Sequence, residues 1–293
     1  MTIPELYELF IHNPKVTTDS RNCPRGSIFF ALKGEKFDGN QYAKKALDAG
    51  CSYAVIDNPD YYIGERTILV ENVLQTLQRL AHRHRKTIGC PVIGITGTNG
   101  KTTTTSMIAS CFLEGKLDPT IQVGAFFNQI NANYRVGNSE YFIIEACEYV
   151  ESFLKFYPKT EIILNIDNDH LDYFKDMEHI VLAFKKYVKL LPANGLLVIN
   201  SDDPYCSTLA KCTEAKTVTF ALNNQNANFV ARNITFNKNG FPTFDVYYNN
   251  SFYKTISLSV TGIHNVLNAL GCIALCDSYG ISKSDIKSGL KKY

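Results

Sequence analysis

No stretch of the chain approaches the roughly 18–20 consecutive apolar residues that a membrane-spanning helix needs. The opening, Met1-Thr-Ile-Pro-Glu, has neither the basic nor the apolar region of a secretory signal. An excess of one charge is also lacking. Thirty Lys and Arg against twenty-eight Asp and Glu leave a formal +2, which argues against the basic patch of a dominant nucleic-acid footprint. The nine cysteines are odd in number, scattered from Cys23 to Cys276, and never spaced Cys-x-x-Cys. A zinc ribbon and a disulfide framework are therefore not expected, and the cysteines read as small buried hydrophobes in a reducing compartment. At 45% hydrophobic and 20% charged, the composition excludes disordered and collagen-like chains. The expectation is a soluble, cytoplasmic protein with no nucleic-acid and no membrane partner. Its 293 residues suit about two domains.

Short apolar runs between turn signals fill the first part: Ser27–Leu32, Tyr53–Asp57 and Thr67–Glu71 read as strands, Gln41–Ala49 and Val73–Arg85 as helices. Gly89-Cys90-Pro91 breaks the second helix, since the residue before proline is pushed out of helical geometry. After it, Val92–Thr96, Tyr141–Glu145, Glu161–Asn165 and Gly195–Asn200 are near-continuous apolar strands alternating with helical patterns such as Thr103–Leu113 and His179–Leu191. That texture predicts a parallel sheet covered on both faces. From Phe229 to Val260 the pattern changes to alternating strands with Asn-Gly and Asn-Asn turns, which predicts an antiparallel hairpin insert at about 225–260. The expected fold class is α/β: a small mixed α/β domain over 1–88, then a central domain of P-loop type, with a mostly parallel sheet, over 89–293.

The strongest chemical signal is Ile95-Thr-Gly-Thr-Asn-Gly-Lys-Thr, a strand running through a glycine-containing loop into a helix. Such glycines let backbone N–H groups close around a phosphate, and the helix N-terminus adds partial positive charge. Lys101 is placed to reach terminal phosphates and Thr102 to put a hydroxyl on Mg²⁺. The loop departs from the strict P-loop, which has glycine where Ile95 stands. Glu145, at the carboxyl end of a strand beside that loop, lies where a cation sits in open α/β sheets.

Gly97-Thr-Asn-Gly-Lys-Thr-Thr-Thr resembles the ATP loop of the Mur ligases, which build the peptide of bacterial cell-wall precursors. Four further blocks follow in family order: Ile144-Glu-Ala, Asn165-Ile-Asp-Asn-Asp-His-Leu-Asp, Asn200-Ser-Asp-Asp-Pro and Gly262-Ile-His-Asn-Val-Leu-Asn-Ala. The resemblance implies that Gly97, Thr98, Asn99, Gly100, Lys101, Thr102 and Thr103 hold ATP and that His264 and Asn265 meet the adenine. It also implies that Thr102, Glu145 and His170 hold Mg²⁺, with Lys101, Glu145 and His170 as catalytic residues. Asp167, Asp169 and Asp172 read as turn and cap residues, Asp169 being best placed to orient the imidazole. Glu148 and Glu151 read as a solvated helix start, and Lys185-Lys-Tyr-Val-Lys as a solvated helix face. The lysine that several family members carbamylate falls on Phe184.

Residues 101–293 are most similar to the L-alanine-adding branch, which also lacks that lysine. The front differs: Val16-Thr-Thr-Asp-Ser-Arg-Asn-Cys-Pro-Arg-Gly and Phe37-Asp-Gly-Asn resemble the uridine-binding domain of the D-Ala-D-Ala-adding branch. Ser20 and Arg21, with Lys33 and Asn40, are the implied substrate-binding residues. Two halves that share the ATP loop but resemble different branches suggest a hybrid, joined within Gly94–Thr104. The family's third domain is expected to be missing, because the sequence stops about where it should begin. The implied function is ATP-dependent amide formation between an amino acid or dipeptide and UDP-N-acetylmuramic acid or its peptide derivative. The alternatives are a fragment that binds ATP and a UDP-sugar without turnover, and a folate-type ligase, against which the uridine-type front argues.

Overall fold

A computed structural model describes residues 1–293, which divide into two compact units, Met1–Gly89 and Cys90–Tyr293. The first unit opens with α1 (Ile3–His12), started by a capping box: the Thr2 hydroxyl accepts from the Glu5 N–H, and the Glu5 carboxylate accepts from the Thr2 N–H. The strands β1 (Val16–Thr17) and β2 (Ile28–Phe30) follow, then a small antiparallel pair, β3 (Lys33–Gly34) and β4 (Phe37–Asp38). The unit continues with α2 (Ala43–Asp48), β5 (Tyr53–Ile56), β6 (Thr67–Leu69) and α3 (Val73–Ile88). The sheet runs β1-β2-β5-β6, parallel throughout. Alternation along β2 sends Ile28 and Phe30 to one core, with Leu6, Val55 and Leu80. It sends Phe29 to the other, with Ala46, Ala54 and Ile56. Gly89 closes α3 in the left-handed conformation, at φ 64°.

The second unit is built on a ten-stranded sheet in the order β16-β15-β14-β13-β12-β11-β7-β10-β8-β9. In chain order its first elements are β7 (Val92–Thr96), α4 (Lys101–Glu114), β8 (Thr120–Phe127), β9 (Ala132–Arg135) and β10 (Phe142–Glu145). Next come β11 (Thr160–Ile163), α5 (Met177–Val188), β12 (Leu196–Asn200), α6 (Pro204–Leu209) and β13 (Lys216–Ala221). The last are β14 (Phe229–Phe236), β15 (Pro242–Tyr248), β16 (Ser251–Ser257), α7 (Ile263–Ser278) and α8 (Lys283–Lys292). From β8 to β14 the ladder is parallel, and the strands alternate between two cores: Ile162 and Val198 face one, Ile163, Leu197 and Ile199 the other.

The antiparallel strands expected at about 225–260 are present as β14, β15 and β16, and β14 pairs in parallel with β13, so they extend the main sheet. One expectation needs correction. The Lys185–Lys189 run is only partly a solvated face. Tyr187 and Val188 are wholly buried, and the Tyr187 ring stacks on Phe153 at 4.4 Å. The sheet also has an antiparallel strand, β9, at its other edge, in a region to which the sequence assigned no strand.

Candidate active site

β7 lies between β10 and β11, the chain leaving it toward β8 on one side and returning to β11 on the other. Such a reversal of strand order opens a crevice at the carboxyl ends of the strands. The loop Gly97–Gly100 emerges there. Gly97 and Gly100 have φ of 135° and 87°, and a Cβ on Gly100 would lie 2.6 Å from the Asn268 Oδ1, so only glycine fits. Asn165 clamps the loop: its Oδ1 accepts from the Asn99 N–H at 2.8 Å and its Nδ2 donates to the Asn99 carbonyl at 2.9 Å. The Thr98 hydroxyl accepts from the Asp167 N–H at 2.9 Å. No side chain caps the start of α4, which leaves its first N–H groups for an anion.

Lys101 curls back over this loop, donating to the carbonyls of Gly97 (2.7 Å) and Thr98 (3.2 Å) and to Glu148 Oε1 (3.0 Å). Thr102 donates to Glu145 at 2.9 Å, and the Gly124 N–H donates to the same carboxylate at 2.7 Å. Thr103 is half-buried in the first turn of α4. Glu148 is only 2% exposed. The expectation of a solvated helix start is thus wrong for this residue, whereas Glu151 is half-buried and pairs with Lys186 at 2.7 Å. Val150 and Glu151, in the turn that follows Glu148, are both left-handed, at φ 48° and 54°. The Glu148 Oε1 lies 3.9 Å from the His170 Nε2, and its Oε2 is buried without a partner.

His170 is itself left-handed at φ 54°. Its ring packs on Tyr149, centroids 4.7 Å apart, while the Tyr149 hydroxyl donates to Asp172 at 2.8 Å. The hydrogen bond raises the Tyr149 pKa. Asp169 Oδ1 accepts the His170 backbone N–H at 2.7 Å and Oδ2 lies 3.7 Å from its Nε2, so it caps the turn rather than gripping the imidazole. Glu148, Asp169 and His170 form a group whose ligand atoms all lie within 4.8 Å of one another. The structure thus brings together Lys101, Thr102, Glu145 and His170 and adds Glu148 and Asn165, to which the sequence assigned no such part. Phe184 is buried in the core under α5.

His264 and Asn265 stand in the first turn of α7. His264 is exposed, its ring folded over Gly262. Asn265 donates to the Thr261 carbonyl at 2.7 Å and accepts from Asn268 at 3.2 Å, and the Asn268 side chain fills the space beside Gly100.

In the first unit, Arg21 is exposed and pairs with Asp19 through two 2.9 Å hydrogen bonds, which hold the Asp19 carboxyl down to about 2. Ser20 is half-buried, its carbonyl accepting from the Cys23 thiol at 3.6 Å. Lys33 pairs with Asp57 at 2.9 Å, and the hydrogen bond raises the lysine. Burial opposes ionisation of Asp57, but hydrogen bonds from Lys33, Asn40 and the Val73 N–H keep its carboxyl below the ordinary value. Asn40 is wholly buried and spent on Asp38, Asp57 and Asn58, which makes it a brace between these residues rather than a free donor. A cavity of about 460 Å³ in this unit is lined by Arg25, Tyr53 and Arg66, among others, and by none of the four candidates.

The sequence pattern of the Mur ligase middle domain matches residues 95–276, and that of the Mur ligase family catalytic domain matches residues 12–85. The chain belongs to the Mur ligase family. It is 49% identical over 201 residues to the UDP-N-acetylmuramate–L-alanine ligase of Acetivibrio thermocellus, an alignment covering 69% of this chain and 43% of that one. Among solved structures, MurF from Acinetobacter baumannii superposes with a TM-score of 0.81 over 99% of this chain and 68% of its own, at 23% identity, which speaks to the fold. UDP-N-acetylmuramate-alanine ligase MurC from Thermotoga maritima gives 0.64 at 28% identity, covering 78% of this chain and 49% of its own. The chain spans about half the length, or less, of the curated relatives it matches.

The Mur ligase site offers a donor set suited to a hard cation. A Cβ on Gly124 would lie 2.8 Å from both Glu145 oxygens, so the glycine leaves the room that this carboxylate occupies. Thr102 and Glu145 present hard oxygens, and Glu148 adds a buried, unpartnered one.

Proposed function

We propose that this chain carries the nucleotide-binding part of an ATP-dependent amide ligase that acts on a UDP-N-acetylmuramoyl acceptor in peptidoglycan precursor synthesis. L-Alanine is the amino acid in the name of the curated relatives it matches, and it is the first substrate to test. The D-Ala-D-Ala dipeptide is the second, for the resemblance in residues 16–40. The observation that carries the reading is the convergence of Lys101, Thr102, Glu145, Glu148 and His170 around the glycine loop.

In this reading the acceptor carboxylate attacks the γ-phosphorus of ATP. A carboxylate–phosphorus bond forms as the bond to the departing ADP breaks. The amine then attacks the acyl carbon of the resulting acyl phosphate, forming the amide and releasing phosphate. Lys101 exchanges its contacts with the Gly97 and Thr98 carbonyls for the transferring phosphate, steadied by Glu148. The N–H groups at the start of α4 face the same phosphates. Thr102 and Glu145 would hold one Mg²⁺, and His170 with Glu148 a second. When bound, the ions supply charge neutralisation. His264 and Asn265 are assigned to the adenine, and Ser20, Arg21 and Lys33 to the UDP group. A cytoplasmic setting belongs to this reading, and no helix is long and apolar enough to cross a membrane.

Phosphate release from ATP with Mg²⁺ and UDP-N-acetylmuramic acid, with and without L-alanine, tests it. A parallel arm uses the tripeptide precursor with D-Ala-D-Ala. Release that depends on the amino acid or dipeptide is the expected result and names the branch. A second reading is binding of ATP and a UDP-sugar without turnover. Binding without release would select it.

A further inference from the structure

Three thiols meet inside the second unit, away from the phosphate loop chemistry. Cys272 and Cys276 are one helical turn apart on α7, and Cys111 reaches them from α4. The Sγ atoms of Cys111 and Cys272 are 3.7 Å apart, those of Cys272 and Cys276 are 3.9 Å apart, and all three lie within 4.8 Å of one another. None has any exposed surface, and their neighbours are apolar side chains such as Met107, Phe112, Ile273 and Ile286. Beyond one another, a backbone carbonyl is close: the Cys111 thiol donates to that of Ile286 at 3.5 Å.

Two physical facts narrow what this cluster can take. Thiolates sharing one ion at about 2.3 Å stand roughly 3.4–4.0 Å apart, depending on the bond angle, and the Cys111–Cys272 and Cys272–Cys276 separations fall in that range. The site is also dry, so an uncompensated charge there is costly. Three thiolates around a divalent ion leave one net negative charge, whereas around a trivalent centre they leave none. A trivalent metalloid also carries a lone pair where a fourth ligand would stand. We propose that Cys111, Cys272 and Cys276 form a binding site for a trivalent, thiol-seeking metalloid of the arsenite class.

Binding is a condensation without redox change: As(OH)₃ and three thiols give As(SR)₃ and three waters. Three S–H bonds and three As–O bonds break, and three As–S bonds and three O–H bonds form. Entry needs α8 to move. Its Gly289 packs so tightly on α4 that an added Cβ would lie 2.6 Å from the Cys111 Cα, and its Ile286 carbonyl covers the thiol. Uptake is therefore slow, and faster in urea below the unfolding transition. Once bound, the centre staples α4, which begins at the phosphate loop, to α7.

The test is incubation of the full chain with sodium arsenite, with and without sub-denaturing urea. Native mass spectrometry then counts arsenic, and maleimide labelling after a denaturing quench maps the protected cysteines. The expected result is one arsenic per chain and protection of Cys111, Cys272 and Cys276. Cys272→Ala loses the uptake, and Cys206→Ala, a buried cysteine in the other core, keeps it. Should Cys272→Ala not fold, the protection map of the unaltered chain decides. No uptake under either condition overturns the proposal, as does protection of Cys23 and Cys51, which neighbour each other in the first unit. Zinc bound at the three thiols and not displaced by arsenite overturns the choice of a trivalent centre.

Discussion

Glu148 and Glu161 are both closed off from solvent, at 2% and 0% exposure, yet the second unit treats these two buried carboxylates in opposite ways. Glu148, at the mouth of the sheet, faces the Lys101 ammonium at 3.0 Å. Glu161 sits in the middle of β11, opposite Gly94, and neither of its oxygens has a partner; the Tyr187 hydroxyl is buried and unpartnered as well. Burial pushes the Glu161 carboxyl well above its ordinary 4.5, and burial together with the Glu161 charge pushes the Tyr187 phenol up. Beside the loop a buried acid is matched by an opposite charge. Within the sheet burial alone acts on the acid and favours its protonated form. In the proposed function the first arrangement serves chemistry on phosphate, and the second couples folding to pH.

The contrast breaks most visibly at Lys101. Lys101→Ala removes the cation for the phosphates and leaves Glu148 buried and unmatched. Phosphate release in the assay above should fall by about three orders of magnitude or more, and urea unfolding should show a loss of about 3 kcal/mol. Unchanged values in both measurements would falsify the pairing. Glu148→Ala should cost a similar amount of stability, and Glu148→Gln, which keeps an oxygen for Lys101, roughly half of it.

Next in size is Gly94→Ala. A Cβ there would lie 2.2 Å from the Tyr187 hydroxyl, so overpacking should cost about 1–3 kcal/mol. Calorimetry should show most of that loss recovered when Tyr187→Phe is added. No recovery would mean that something other than the hydroxyl is crowded.

Glu161→Gln sharpens the other half. The unfolded chain releases this proton near 4.5 and the folded one only at a pH well above that. Between those values the unfolded state binds fewer protons, so stability is fully present below 4.5 and falls as pH rises through the window, by at most about 1.4 kcal/mol per pH unit. The variant should show a shallower decline in thermal midpoint with rising pH, and parallel curves would sink the assignment. The smallest effect is expected at Arg21→Ala, where an exposed pair is lost and the thermal midpoint should not move.

Much of this was readable in advance. The strand–loop–helix of residues 92–114 announces itself through Gly97 and Gly100, whose left-handed backbones few other residues adopt, and through the apolar run that precedes them. Glu145 ends a strand, which the pattern Tyr141-Phe-Ile-Ile-Glu displays directly. Glu148 was hidden because its partner Lys101 lies forty-seven positions away, and because the turn after it uses two left-handed residues, Val150 and Glu151, of types that do not mark such turns. Asn165 was visible as part of a motif, but its role is a contact with Asn99, sixty-six positions away, which no local pattern encodes. The thiol cluster is hidden for the same reason. Cys272 and Cys276 share a face by spacing, but Cys111 arrives only through the packing of α4 on α7. The β14–β16 strands were legible as antiparallel, but their joining to β13 is long-range pairing that alternation cannot specify.

The turn at Val150 and Glu151 has a consequence for anyone who selects this protein for heat resistance. A β-branched residue at φ 48° stores strain, of order 1–3 kcal/mol, that glycine would relieve. A screen that scores melting temperature alone is therefore drawn to Val150→Gly. The same change hands Glu148 a slacker tether, and with it Lys101 an unsteady anchor. Hardiness and turnover are traded at a single peptide unit, so a library built for robustness should leave this position fixed.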